Sequence, residues 1–343
     1  MSKVFASLQA FIAWMKAIHP ALPWAVSFGL LSTFPFLAQN QYHIFLMNLI
    51  GIMIILVTGL NIVKGFAGQV TIGHIGLYAV GAYSSAVLAV NFGFPFLLAL
   101  PASILITMLA GVIIGVPSFR LEGAYLALAT LGFAESVRIY AAVTDYLGST
   151  SGFGGIPSPE IFGFKFNLYF EYFYIVMPIA LLAIYMSFAI LKSSTGRAFT
   201  AIREDTIAAA AAGVNVKRYK LIAFVLGAAY AGCAGSLFAH MSPGYIHPNN
   251  FTVIEMVTLL LMVVLGGLGN IWGGIIGATV VTIVFDLTRE WYYYQYLMFG
   301  SVIVGTVMFM PKGIGGIIDR YLVSKRFVSA REKSHGISVK AGD

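Results

Sequence analysis

Charge is what this chain has least of. Lys, Arg, Asp and Glu together make up 10% of its 343 residues, against roughly a quarter in a soluble domain. So few charges cannot clothe a sizeable soluble surface, which excludes an ordinary cytosolic protein. Cysteine is nearly absent too. Cys233 stands alone inside an apolar run, so neither a disulfide framework nor a cysteine metal site is available. Several chemical signatures are missing. No G-x-x-x-x-G-K-[ST] occurs, so any use of ATP falls to another polypeptide. No H-E-x-x-H, no G-x-S-x-G and no paired carboxylates supply a hydrolytic centre. The expectation is a chain that is not an enzyme, with no catalytic residues, no metal and no cofactor. A cleavable leader is not expected either, because the start, MSKVFASLQAFIAWMKAIHP, has no small-residue cleavage site and is interrupted by Lys16. Residues 5–15 read instead as a short amphipathic helix at the membrane interface.

What the chain has is long apolar runs. Apolar residues make up 59% of it, and a span needs about 20 of them in succession. Ten spans are predicted, at 22–39, 42–63, 71–90, 94–116, 123–143, 171–191, 221–241, 253–268, 270–288 and 293–310. Pro35 weakens the first, and 253–268 with 270–288 also reads as one broken element, which leaves a count of eight open. The fold class is all-α, a polytopic membrane helix bundle. Placing both termini inside puts 17 of the 20 Lys and Arg residues on the inner side. The opposite orientation inverts that bias, so N-in, C-in is predicted. The net charge of +7 is thereby explained by topology rather than by nucleic acid. The predicted organisation is an N-terminal segment at 1–21, a transmembrane domain at 22–319 that includes the polar loop 192–220, and a basic tail at 320–343 suited to anionic lipid. The 37 glycines include small-xxx-small pairs within spans, namely Gly111 with Gly115, Gly273 with Gly277, and Ala231 with Gly235. Such pairs let helix backbones approach closely.

One polar island interrupts the apolar runs, at 192–220. It carries Lys192, Arg197, Arg203, Lys217, Arg218 and Lys220. Glu204 and Asp205 are read as the first turn of a helix, where acids complement the helix dipole. The run Ala208, Ala209, Ala210, Ala211 and Ala212 favours helix strongly. Gly213 then stands where a helix-ending residue would. The five alanines present a smooth, thin cylinder with little bulk to insert into a bilayer, so it is better suited to a protein cleft than to lipid.

Other polar groups are sparser. Gly65, Gly68 and Gly73 break the helix before the third span, with Gln69, Thr71 and His74 beside them. Two readings apply: a turn with interhelical hydrogen bonds, or a polar element of a transport pathway. Glu135 is a carboxylate within a span, which is costly unless paired; Arg138 lies three residues on and can pair with it. Glu255 begins a span at its outer end. Asp286, Arg289 and Glu290 form an outer cluster near Trp291 and three tyrosines, which read as an interfacial belt. The stretch 148–159, GSTSGFGGIPSP, reads as a flexible outer loop, either docking surface or linker.

Six stretches together resemble one family. GRAFTAIREDTIAAAAAGVNVKRYKLIAF (196–224) is similar to the coupling-helix region of ATP-binding-cassette importer permeases of the branched-chain amino-acid class, the LivH/LivM type. GLNIVKGFAGQVTIGHIGLYAVGAYSSA (59–86), FRLEGAYLALATLGFAE (119–135), TSGFGGIP (150–157), LLLMVVLGGLGNIWGGIIGA (259–278) and MPKGIGG (310–316) resemble the same family in the same order. The resemblance covers most of 45–320 and is nearer the M type. It implies a multi-pass subunit of the bacterial cytoplasmic (inner) membrane that forms a pathway with a second permease, as a heterodimer. It further implies two cytosolic ATPase subunits, which hold ATP and Mg, and an extracytoplasmic substrate-binding protein. The coupling role would fall on Arg203, Glu204, Asp205, Ala208, Ala209, Ala210, Ala211, Ala212 and Gly213. The alanine run lacks a Glu that relatives often carry there. Gln69, Thr71, His74 and Glu135 would be possible pathway or gating residues. A permease for urea or short amides is an alternative of the same class. A self-sufficient ion-coupled carrier is the alternative of a different class, and it would leave the 192–220 loop without a purpose.

Overall fold

The computed structural model describes residues 40–288, apart from 162, 167 and 242, together with position 35 and isolated positions between 297 and 316. The interfacial helix at 5–15, the charged cluster from Arg289 onward and the tail at 320–343 lie outside the described residues, as do most positions of the expected spans at 22–39 and 293–310. The described elements are α1 (Gln41–Leu60, continued by a π-helical turn, Asn61–Phe66), α2 (His74–Val90), α3 (Phe96–Gly115), α4 (Gly123–Val143), α5 (Tyr169–Lys192), α6 (Ser194–Glu204), α7 (Thr206–Ala211), α8 (Val216–His240), α9 (Val253–Gly266) and α10 (Ile271–Leu287). The protein is an all-α, multi-pass membrane helix bundle. Five helices are long and apolar enough to cross a membrane: Gln41–Phe66, Phe96–Phe119, Gly123–Val143, Tyr169–Lys192 and Val216–His240. Three shorter apolar helices, α2, α9 and α10, occupy the positions expected for spans at 71–90, 253–268 and 270–288.

α8 is the central post. At 25 residues it is about 37 Å long, and it packs against α3, α2 and α1. Its small residues make this possible. A Cβ at Gly235 would meet the backbone of α2 at Tyr78, Ala82 and Gly81, and one at Gly81 would stand 2.6 Å from Gly232 Cα. Gly111 and Gly115 of α3 abut Ala228 and Phe224 of α8 in the same way. Buried polar groups on this post find partners. Ser85 Oγ lies 2.7 Å from Ser236 Oγ and 3.0 Å from His240 Nε2, and His240 Nδ1 lies 2.9 Å from the Pro157 carbonyl. In contrast, α3 and α4 show large apolar side chains outward, among them Leu105, Leu109, Ile113, Leu128 and Val143, as helices facing lipid tails do.

The 253–288 region is two helices, not one broken span. Gly266 faces Gly273, and Met262 faces Gly277, so α9 and α10 run antiparallel, joined by the turn at 267–270.

Three sequence expectations need correction. The segment 148–159 is not a flexible linker. Phe153 and Ile246 exchange both backbone hydrogen bonds, at 2.8 and 2.9 Å, and Tyr245 donates to the Ser151 carbonyl at 2.7 Å. Phe153 and Ile156 are buried. A two-residue antiparallel strand pair, Glu160–Ile161 with Phe164–Lys165, also interrupts the all-helical pattern. Finally, the helix read from Glu204 through the alanines is two helices with a break at Asp205.

Candidate functional site

The break at Asp205 has a local cause. The Asp205 carboxylate accepts from Ile207 N at 2.8 Å and Ala208 N at 2.9 Å, which makes it the N-cap of α7. Glu204 is the last residue of α6 rather than an acid in a first turn, a position where the dipole disfavours negative charge. α7 then runs to Ala211, Ala212 caps it, and Gly213 turns the chain with φ +84°, a conformation open to glycine. Ala209 is buried, while Ala208, Ala210, Ala211 and Ala212 are exposed, beside an exposed Ile207. The outward face of α7 is therefore apolar and thin. Losing the cap should cost about 1 kcal/mol locally. Asp205→Ala is expected to speed amide exchange across Thr206–Ala211, and Asp205→Ser to restore protection; equal exchange in all three chains would contradict the capping role.

α6 ties this loop to the bundle. Phe199 and Ile202 are buried beneath it. Arg203 donates from its guanidinium to the Gly65 carbonyl in the π-turn of α1. Gly68, at φ +69°, lies flush against the same residue, since a Cβ there would stand 3.1 Å from Arg203 Cα. The π-turn is tied in turn to the α9–α10 turn. Asn61, 1% exposed, accepts from Gly269 N at 2.9 Å and donates to the Asn270 carbonyl at 2.9 Å. One arginine and one asparagine thus join the loop, α1 and the α9–α10 hairpin. Arg203 was expected at this site from the sequence; Asn61 was not, because its partners lie more than 200 positions away.

Past the π-turn the chain runs non-helically from Gly68 into the bundle. α2 begins at His74 beside Gly59 and Gly227, and Gly227 lies near the midpoint of α8. The helix break therefore extends to mid-bundle, beyond the short connection at 64–70 that the predicted spans left at the inner face. Irregular backbone at such depth must be buried in protein and satisfied there. Ile72 N donates to Thr130 Oγ1 at 3.0 Å, Gly73 N to Thr71 Oγ1 at 3.3 Å, and Gln69 Nε2 to the Ala67 carbonyl at 3.0 Å. Gln69 and Thr71 thus serve their own segment. His74 Nε2 is buried with no hydrogen-bond partner among the described residues. Glu135 stands apart from these three; on α4 it pairs with Arg138.

Residues 42–310 match the family described as the permease component of branched-chain amino acid transport systems. The chain belongs to this family. Among similar proteins, the high-affinity branched-chain amino acid permease LivM of Salmonella typhimurium is 35% identical over 288 residues, covering 77% of this chain and 67% of that one. LivM of Escherichia coli is 36% identical over 287 residues with the same coverage. A probable LivM of Methanocaldococcus jannaschii is 27% identical over 257 residues, covering 69% of this permease and 73% of that one. No solved structure matches the permease.

One ion pair of this permease escaped the sequence entirely. Lys220 was grouped with the loop cations, yet it is buried and its Nζ lies 2.6 Å from Glu122 Oε1. Because the Glu122 side chain is 69% exposed, the pair is screened on one side. Glu122→Gln is expected to cost about 1–2 kcal/mol, below the figure for a fully buried pair. Lys220→Met added to it should recover most of that loss in thermal unfolding, whereas equal melting of native and Glu122→Gln protein would sink this reading.

Proposed function

We propose that this chain is the membrane permease subunit of an ATP-binding-cassette importer for branched-chain amino acids. The observation that carries the reading is the Arg203 clamp: the one cation-rich loop is fastened both to α1 and, through Asn61, to the α9–α10 turn. A push on α6 and α7 would thereby move helices of the bundle, as ATP-driven alternating access requires. Of the coupling residues, Glu204, Asp205, Ala208, Ala210, Ala211, Ala212 and Gly213 are exposed and would meet an ATPase partner, while Arg203 and the buried Ala209 face the bundle; the exposed apolar face of α7 suits such a cleft. ATP and Mg would sit on two such partners, with no cofactor on this chain. The loop end then faces the cytoplasm, with ten spans, both termini inside and the domain limits 1–21, 22–319 and 320–343, in the bacterial inner membrane.

A second permease is part of this reading. A probable LivH of Methanocaldococcus jannaschii is 28% identical over 169 residues, which supports pairing of two related subunits. An extracytoplasmic binding protein would deliver the cargo. Relatives also include LsrC, a permease named for autoinducer 2 import, 25% identical over 225 residues. The same architecture therefore serves other cargo, and urea or short amides stay as the alternative. The test is uptake of radiolabelled leucine, with urea alongside, in cells lacking the chain and in complemented cells. Leucine uptake lost on deletion and restored by the native chain supports the reading. Loss of urea uptake alone changes the cargo, and unaltered uptake of both removes the importer assignment.

A further inference from the structure

The loop at 192–220 leaves the bundle through α6 and rejoins it through α8. The Arg203 clamp lies on the way out, and a second contact lies on the way back. Phe199 of α6 meets Tyr219 of α8 edge-on, with ring centroids 6.4 Å apart. The next residue along, Lys220, is buried, and its amine reaches Glu122 Oε1 at 2.6 Å, immediately before α4. Among the described residues that amine has no other hydrogen-bond or ion-pair partner.

Glu122 is the N-cap residue of α4, and α4 is held on one side. The central post α8 packs against α1, α2 and α3. By contrast, α4 leans on the start of α2 and the segment before it through Thr130 and Ala134, and on the turn Ser149–Ser151 through Ala142. Its inner turn stands clear: Glu122, Gly123, Ala124 and Tyr125 are exposed one after another. The ion pair therefore ties a free end to the post. Two apolar side chains of similar volume would hold as well or better. What an ion pair adds is a penalty for letting go, because an α4 that parts from α8 strands a buried ammonium. The inner end of α4 must travel with α8 whenever α8 is moved.

We propose that Lys220 and Glu122 are positioning residues of the transport cycle, which pass motion of the loop through α8 to the inner end of α4. The loop then has two outputs. Arg203 delivers a push to α1 and the α9–α10 turn, and Lys220 delivers the same push to α4. The inference rests on the importer reading and deepens it. It also accounts for a buried lysine at a position where helix packing alone would take an apolar side chain.

The experiment uses the complete importer in proteoliposomes. The readout is leucine moved per ATP hydrolysed, a ratio that misfolding of a fraction of the importers does not alter. Glu122→Gln combined with Lys220→Met removes both charges and should melt close to native. Its ratio is expected to fall by about 5- to 150-fold, the usual range of coupling between distant sites. The KM for leucine should stay near native, since no contact with cargo is altered. Glu122→Asp, which keeps the charge on a shorter arm, should stay near the native ratio. An unchanged ratio in the uncharged variant would overturn the proposal and leave a structural contact only. So would a Glu122→Asp ratio as low as that of the uncharged variant, because shape rather than charge would then be at work. Absence of leucine, isoleucine and valine uptake by the native importer would instead remove the importer reading itself.

Discussion

Arg203→Ala is expected to lower ATP-driven uptake by about 10- to 100-fold, the worth of a hydrogen bond from a charged donor, while the subunit still folds and assembles. The residue lies on the exposed side of α6 and its apolar neighbours, Phe199 and Ile202, hold that helix down without it. What the guanidinium adds is a bond across to Gly65. Alanine leaves α6 docked but without its bond to the π-turn, so under the coupling proposed above a push on the loop would no longer reach α1. Arg203→Lys should fall between, because a lysine keeps the charge without the planar fork. The measurement is leucine uptake against ATP hydrolysis in the same proteoliposomes. Hydrolysis that continues while uptake falls fits a broken transmission. Uptake unchanged in Arg203→Ala would show that the clamp carries no load.

Gly235→Val should be worse for the protein as a whole. The atoms a side chain would meet there belong to the backbone of α2: Ala82 N at 2.6 Å, Gly81 C at 3.0 Å, and the Tyr78 carbonyl closer still. Backbone cannot rotate out of the way, so α2 and α8 must separate along their shared face. Overpacking of this kind costs about 3 kcal/mol or more. Separation would also pull Ser85 away from Ser236 and His240, leaving buried polar groups unpaired. The expected result is a large drop in the yield of monodisperse subunit on size exclusion. Gly132→Val is the control, since nothing lies within 4 Å of a Cβ at that position. Equal yields from both chains would refute the close-packing account.

Much of this fold was legible in the sequence because its signals are local. A run such as 123–143 announces a span by length and hydropathy, and α4 covers those residues. Gly213 and Asp205 announce a helix end and a cap by residue type. The misreading at Glu204 is instructive. Two adjacent acids both suit a helix start, and only Asp205, with the shorter side chain, folds back onto the following amides. The misses are nonlocal. Nothing near Lys220 indicates that Glu122 will neutralise it, and nothing near residue 153 indicates that Ile246 will pin that loop. The depth of α2 is of the same kind, since the start of that helix at His74 rests against Gly59 and Gly227 on two other helices.

The π-turn at Asn61–Phe66 sets α1 apart from the other described helices. Its Ala67 amide bonds to the Ile62 carbonyl at 3.0 Å, five residues back rather than four. A continuous α-helix is a stiff rod, and a twist at one end appears at the other. Arg203 and Asn61 take hold of α1 at this turn, which is its last helical stretch, while Leu49 and Met53 lie farther along the same helix. The loop therefore holds α1 by the tip, as a tiller is held, and the whole length of the helix is its lever arm.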